Sequence, residues 1–149
     1  MPILAHDVQK HKLDVIHISE AGLQKKEPMG MTGYTSVKLT RKEPNIGSVI
    51  WVRNNLMDRM VRVYAQKEEE TGAEVIQLQM DTIPPTNIFG VYLETGKPAE
   101  EKEYAHNKLQ QRVTECKNAG QNVILMGDFN AALNAVSYTH LTLPTRSYV

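Results

Sequence analysis

Short hydrophobic runs recur along most of this chain, and several alternate with polar residues at the period of two that a half-buried β-strand shows. The strongly apolar run Gly47–Arg53 is typical of a central strand. The alternating runs Val61–Ala65 and Ile76–Met80 flank the polar segment Lys67–Gly72, so they are predicted to form a hairpin. Further strands are predicted at Leu13–Ser19, Tyr34–Thr40, Asn87–Tyr92 and Asn122–Met126.

A helical period is clear in one place, between about Pro98 and Asn118. Its apolar positions are four, four and three residues apart, which places them on one helix face: Ala105, Leu109, Val113 and Cys116. Proline is favoured in the first turn of a helix, and Gly120 suits the left-handed backbone that often ends one. A weaker helical pattern covers Ala5–Lys12.

The order strand, helix, strand over residues 87–126 predicts a right-handed crossover between two parallel strands of one sheet. Tyr92 ends the first of these strands, and the tetrapeptide Gly127–Asp128–Phe129–Asn130 follows the second. We therefore expect Tyr92 and Asp128 to lie at the same end of the sheet. In α/β folds, active sites are usually built at this carboxyl end of the strands.

The composition is that of an ordinary globular protein. The chain has 149 residues, of which 41% are hydrophobic and 23% charged, enough for one domain with a real core. Its 17 basic and 17 acidic residues balance, so attraction of the whole molecule to nucleic acid is not supported. The single cysteine, Cys116, cannot form an internal disulfide, which fits an intracellular reducing compartment. No hydrophobic run is long enough to span a membrane.

Four polar side chains follow apolar strands and could form a site together: Glu20, Tyr92, Asp128 and Asn130. Mg²⁺ characteristically uses one or two protein carboxylates, several waters and a substrate phosphate, and Glu20 meets that sparse demand. Asp128 could orient or deprotonate a water, while Asn130 and Tyr92 could donate hydrogen bonds to a phosphate oxygen. Taken singly, each has an ordinary structural interpretation: a loop or cap glutamate, a packed tyrosine, and an Asx turn in Asp–x–Asn.

Five segments, in order and spacing, carry a resemblance to a known family: Asp14–Glu20, Gly33–Tyr34, Gly47–Val52, Val91–Tyr92 and Ile124–Ala131. The chain resembles the endonuclease/exonuclease/phosphatase superfamily over residues 10–134. Within that superfamily it is most similar to the endonuclease domains of non-LTR (LINE-type) retrotransposons. The resemblance implies a four-layer α/β sandwich, in which two packed β-sheets are flanked by helices. It also implies hydrolysis of DNA phosphodiesters with Mg²⁺ or Mn²⁺.

The resemblance implies residue roles and partners as well. Glu20 matches the metal-binding glutamate of the family, and Asp128 matches the aspartate that activates water. Asn130 matches the asparagine beside it, and Tyr92 matches the tyrosine that contacts phosphate. A full-length parent would carry a reverse-transcriptase domain, act on DNA in the nucleus or cytoplasm, and have no membrane partner.

The chain departs from the family pattern near both ends. Family members begin with a strand that bears an asparagine near the metal, and they finish with a motif that supplies a catalytic histidine. Neither has a counterpart here, and His140 lacks the preceding aspartate. We therefore expect residues 1–134 to be a partial domain that is inactive by itself, and residues 135–149 to be a non-native tail. Two alternatives are an exonuclease III-like abasic-site endonuclease or other phosphodiesterase, and a catalytically dead remnant that binds nucleic acid.

Overall fold

Two β-sheets pack face to face in the computed structural model, which describes residues 2–21, 30–40, 47–67 and 73–130. A helix packs against the outer face of each sheet. In chain order, the elements are α1 (Pro2–Lys10), β1 (Val15–Ile18), β2 (Tyr34–Thr40), β3 (Gly47–Arg53), α2 (Asn54–Met57), β4 (Met60–Lys67), β5 (Glu74–Met80), β6 (Thr86–Tyr92), α3 (Ala99–Asn118) and β7 (Asn122–Asp128).

The first sheet has the strand order β1-β3-β2, and both pairs are antiparallel. The apolar run that forms β3 is the central strand, as the sequence predicts, and it is buried along nearly its whole length. Helix α1 covers the outer face of this sheet, where Val8 is buried against Val49 and Trp51. The interior position of β3 thus follows from its continuous apolar character.

The second sheet has the strand order β4-β5-β6-β7. Strands β4 and β5 pair antiparallel, which confirms the two predicted hairpin strands, while residues 68–72 between them lie outside the described part of the chain. Strands β6 and β7 pair in parallel, with Tyr92 opposite Asp128. This pairing confirms that the two strands joined through a helix are parallel, and α3 begins one residue after the predicted helix and ends at the same residue.

Hydrophobic clusters hold the layers together. The cluster between the sheets contains fully buried aliphatic residues from both of them: Ile50, Val52, Ile76 and Leu78. Burial of each such side chain contributes about 1.5–3 kcal/mol. Outside the second sheet, Ala105 and Leu109 of α3 pack with Phe89 and Val91 of β6. The layers α1, first sheet, second sheet and α3 form a four-layer α/β sandwich, which confirms the expected fold class.

At Gly90 the space that a side chain would occupy is filled by two side chains of the first sheet. A Cβ atom there would lie 2.6 Å from Ile50 Cδ1 and 2.7 Å from His17 Cδ2. The His17 imidazole therefore lies against β6, and its Nε2 is buried without a hydrogen-bond partner among the described residues. Burial of the ring lowers the pKa of His17.

The structure differs from the sequence expectation in three places. Helix α1 covers Pro2–Lys10, whereas the weaker helical pattern was placed at Ala5–Lys12. The short helix α2 follows β3 directly and was not predicted. Strand β7 continues to Asp128, so this residue ends the strand instead of standing in the loop after it. The proposed tail at residues 135–149 lies outside the described residues. Among the helices that the structure describes, none is long and apolar enough to cross a membrane.

Candidate active site

Tyr92 and Asp128 lie side by side at the carboxyl end of the second sheet. They are register partners in the parallel pair, and Leu93 N donates to Asp128 O at 2.9 Å just beyond them. Side chains alternate along a strand, and Ile88 and Met126 pack between the sheets. Tyr92 and Asp128 therefore share the face that looks toward the first sheet. Tyr92 is 3% exposed, whereas Asp128 is exposed.

Glu20 approaches this point from the first sheet. It follows β1 with a φ of +50°, in the left-handed region that non-glycine residues seldom adopt. The next residue, Ala21, is anchored by a 2.9 Å hydrogen bond from its N–H to Gly47 O. The exposed Glu20 carboxylate accepts a hydrogen bond from the Tyr92 hydroxyl, with 2.6 Å between Oη and Oε1. The structure thus brings Glu20 and Tyr92 into direct contact across the two sheets.

Gly127 fixes the backbone immediately before Asp128. Its φ is +147°, and a Cβ atom at this position would overlap the main chain of Val91, lying 2.8 Å from the carbonyl carbon and 2.9 Å from the nitrogen. A side chain is therefore excluded where β7 pairs with β6. The absence of a side chain allows the parallel ladder to continue until Asp128 stands opposite Tyr92.

Asn130 closes the loop after β7. Its φ is +42°, a conformation that asparagine tolerates better than most residues. Its N–H donates to Asp128 Oδ1 at 2.9 Å, which is the Asx turn that Asp–x–Asn commonly forms. Its Nδ2 donates to Leu93 O at 2.6 Å. In this structure the Asn130 amide therefore holds the loop to the end of β6.

Glu20 and Asp128 retain carboxylate oxygens for a ligand. Among the described residues, Glu20 Oε2 and Asp128 Oδ2 have no hydrogen-bond partner. No group of three or more His, Cys, Asp or Glu side chains in the described ranges is placed to hold a metal ion. A closed zinc site would need about four protein ligands. One or two carboxylates with open positions are instead the donor set that suits Mg²⁺, which keeps several waters.

One buried acid near this site was not singled out from the sequence. Glu74, at the start of β5, is 0% exposed and accepts a 2.5 Å hydrogen bond from Ser48 Oγ. Its spacing in the sequence could have identified it. Glu74 stands two residues before Ile76 and four before Leu78, so it lies on the same apolar face of the strand. An acid in an apolar row is a candidate for a specific role.

No protein-family model matches the sequence, and no curated protein matches it. Solved structures do resemble the fold. TDP2 from C. elegans superimposes with a TM-score of 0.67 at 14% identity, over 87% of this chain and 42% of that chain. D. rerio TDP2 complexed with a single-strand DNA product superimposes with a TM-score of 0.66 at 15% identity, over 88% and 53%.

A third neighbour is an endonuclease/exonuclease/phosphatase family protein from Bacteroides thetaiotaomicron. Its TM-score is 0.65 at 17% identity, over 89% of this chain and 55% of that chain. The fold is therefore of the endonuclease/exonuclease/phosphatase type. The chain spans about half the length of each of these three structures.

Proposed function

We propose that this chain contributes the metal-binding and water-activating half of a Mg²⁺-dependent phosphodiesterase that cleaves DNA. The observation that supports this most directly is the hydrogen bond between the Tyr92 hydroxyl and the Glu20 carboxylate, beside Asp128 on the neighbouring parallel strand. Tyr92 and Asp128 end the parallel strands β6 and β7, and Glu20, which follows β1 of the other sheet, contacts Tyr92 there; ligand sites of α/β folds are usually found at the carboxyl ends of strands.

Glu20 is proposed to hold the cation through its outward oxygen, while Oε1 accepts the Tyr92 hydrogen bond. A bound Mg²⁺ would supply charge stabilisation for a phosphoryl oxygen. Tyr92 fixes the orientation of the carboxylate, and its buried ring keeps the hydroxyl in place. The left-handed backbone at Glu20 supports this assignment, since strained conformations concentrate at functional sites.

Asp128 is proposed to accept a proton from the attacking water through Oδ2. Its Oδ1 is held by the Asn130 N–H, so the carboxylate has a fixed direction. A general base needs this combination of a positioned acceptor and an open approach. Asn130 is proposed to keep the loop in place through Leu93 O, and to donate its amide to a phosphate when substrate is bound.

The substrate assignment rests on two lines of support. One neighbour is described with a single-strand DNA product, and the sequence resembles the endonuclease domains of LINE-type retrotransposons. We propose DNA nicking within a polyprotein that also contains a reverse transcriptase. The alternative is an abasic-site endonuclease or another phosphodiesterase, which would use the same four residues.

Binding of Mn²⁺ tests the metal site directly, since its electron paramagnetic resonance signal reports the free ion. Replacement Glu20→Gln is expected to weaken Mn²⁺ binding by about tenfold or more. The matched control is Asp81→Asn, because Asp81 is an exposed carboxylate at the opposite end of the second sheet, paired with Arg59 at 3.0 Å. Equal Mn²⁺ affinity in Glu20→Gln and the parent protein would contradict the proposed metal site.

Nicking of supercoiled plasmid DNA tests the reaction. We expect this chain to be inactive by itself, because the loss of one member of a cooperating site, here the family's histidine motif, commonly lowers the rate by several orders of magnitude. Any Mn²⁺-dependent nicking should disappear in Asp128→Ala and persist in Asp81→Asn. Duplexes with and without an abasic site distinguish the two candidate substrates.

A further inference from the structure

Glu74 is an acidic residue that lies wholly inside the sandwich. It is 0% exposed, as are the polar residues Ser48 and Asn87 in the described part of the chain. Burying an ionisable group is unfavourable unless hydrogen bonds satisfy it. Ser48 Oγ of the first sheet donates to Glu74 Oε2 of the second sheet at 2.5 Å. The Glu74 carboxylate therefore forms a hydrogen bond that links the two sheets.

Glu74 also belongs to one transverse row with two residues of the candidate site. It stands opposite Tyr92 in the antiparallel pair β5–β6, and Tyr92 stands opposite Asp128 in the parallel pair β6–β7. Directly opposed residues point to the same face, with Cβ atoms about 4.5–5.5 Å apart. In the described part of the chain, this row contacts the first sheet through the hydrogen bond from Ser48 to Glu74 and the hydrogen bond from Tyr92 to Glu20.

The two inter-sheet hydrogen bonds are also connected within the first sheet. Ser48 follows Gly47, whose carbonyl accepts the 2.9 Å hydrogen bond from Ala21 N, and Ala21 follows Glu20. The result is a closed ring of covalent links, hydrogen bonds and one register pair, through Glu20, Ala21, Gly47, Ser48, Glu74 and Tyr92. Such a ring fixes the Glu20 carboxylate relative to the Tyr92 hydroxyl, because displacing either one strains a second contact.

We infer that Glu74 is a positioning residue of the candidate site, which keeps Glu20 and Tyr92 in register through Ser48. This inference rests on the proposed function, since the property that Glu74 would adjust is the affinity of Glu20 for a divalent cation. We do not assign Glu74 as a ligand, because its side chain is wholly buried and its Oε2 accepts from Ser48 Oγ. Outer partners of metal ligands typically change metal affinity by about 10–100-fold.

Dissociation constants for Mn²⁺, measured on folded protein, test the inference. Ser48→Ala and Glu74→Leu are each expected to weaken Mn²⁺ binding by about tenfold. The Mn²⁺ affinity of the double variant should be close to that of the single variant that binds more weakly, because both changes break the Ser48–Glu74 hydrogen bond. Glu74→Gln can still accept the Ser48 hydrogen bond, so it should recover most of the affinity that Glu74→Leu loses. Ser48→Ala removes only one hydroxyl, so it tests the inference by itself if Glu74→Leu does not fold.

Asn87→Ala is the matched control, because Asn87 is an equally buried polar residue on the neighbouring strand at the far end of the sheet. It should lower the thermal unfolding midpoint without changing Mn²⁺ affinity. If Ser48→Ala and Glu74→Leu bind Mn²⁺ as the parent does while Glu20→Gln does not, the inference is overturned and the proposed function stands. If Glu20→Gln also binds normally, both fail. If Asn87→Ala weakens Mn²⁺ binding as much as Glu74→Leu does, Glu74 has no specific positioning role.

Discussion

The two ends of the second sheet carry polar side chains that are organised in opposite ways. At the end where β6 begins, the fully buried Asn87 is the centre of an amide network. Its Oδ1 accepts from Gln77 Nε2 at 3.0 Å and from Gln79 Nε2 at 3.3 Å. Its Nδ2 donates to Gln121 Oε1 at 2.8 Å. Arg112 of α3 then donates to Gln77 Oε1 at 2.6 Å, so the side chains of this end satisfy one another.

At the end where β6 finishes, the polar atoms are only partly paired with one another. Glu20 and Asp128 are exposed, and each uses one carboxylate oxygen in the described hydrogen bonds. Glu20 and Asn130 hold their backbones in the left-handed region, at φ of +50° and +42°. Backbone strain of this kind persists only where the surrounding structure enforces it, and it gathers at ligand sites.

The difference separates polar groups that specify the fold from polar groups that remain available for chemistry. The amide end borders a cleft of about 360 Å³ lined in part by Arg62 and Arg112, yet Arg112 stacks over Tyr64 at 4.4 Å and bonds to Gln77. A fully satisfied buried network rigidifies a core. Open carboxylate oxygens on a fixed frame are instead what a hard cation requires. The changes below should therefore separate stability from metal binding.

Gly127→Ala should have the largest effect on stability. The added Cβ would overlap the Val91 main chain, and the residue would have to keep a φ of +147°. We expect a loss of about 3 kcal/mol or more in the free energy of unfolding, from strain and overpacking together. Urea denaturation followed by Trp51 fluorescence would measure it. Gly120→Ala is the control, because Gly120 also has a positive φ, of +71°, but nothing lies near its Cβ position.

A loss in Gly127→Ala no larger than that in Gly120→Ala would show that β6 and β7 can separate at this point without penalty. The close packing of Gly127 on Val91 would then not be what holds Asp128 opposite Tyr92.

Asn87→Ala should destabilise the amide end by about 1–3 kcal/mol, because the half-buried amide groups of Gln77, Gln79 and Gln121 lose their partner. Chemical denaturation gives the change in unfolding free energy, and Mn²⁺ titration of the same sample gives the metal affinity. Stability should fall while affinity stays the same. A simultaneous fall in Mn²⁺ affinity would mean that the two ends of the sheet are coupled, so that the amide network also supports the metal site.

His17 should make the stability of the sandwich depend on pH. Burial lowers its pKa below the ordinary 6.5, so the unfolded chain takes up the proton first as the pH falls. Stability should therefore be greatest above 6.5 and should decline as the pH falls through 6.5 toward the folded-state pKa. Thermal unfolding midpoints at about pH 7.5 and about pH 5.5 measure the decline.

His17→Leu supplies the comparison for this pH dependence, since leucine still fills the space beside Gly90 and removes the titrating group. The variant should lose less stability between the two pH values than the parent does. An unchanged pH dependence would indicate that protonation of His17 is accommodated between the sheets.

Local sequence signals accounted for most of the fold but for less of the site. The period of two identified the hairpin strands and the period of 3.6 identified α3, because residue spacing reflects burial on one face, whereas β3 was identified by its continuous apolar run. That Tyr92 and Asp128 lie at the same end of one sheet followed from the order strand, helix, strand, while their direct pairing is a finding of the structure. The contact between Ser48 and Glu74 joins residues 26 apart in different sheets, and no local period encodes it. The bond from Asn130 Nδ2 to Leu93 O likewise depends on where two strand ends meet.

Asp128→Asn should have the smallest effect on stability and a large effect on Mn²⁺ binding and DNA nicking, which is the reverse of what we expect for Asn87→Ala. Asp128 is exposed, and an asparagine can still accept the Asn130 N–H that closes the Asx turn. The unfolding free energy should therefore change by no more than about 0.5 kcal/mol. Removing the negative charge of Asp128, which lies opposite Tyr92, should weaken Mn²⁺ binding, and replacing the proposed base should abolish any nicking. Asp128→Asn could instead unfold the protein while Mn²⁺ still binds the folded fraction normally. In that case Asp128 specifies the fold, as Asn87 does, and it does not activate the water.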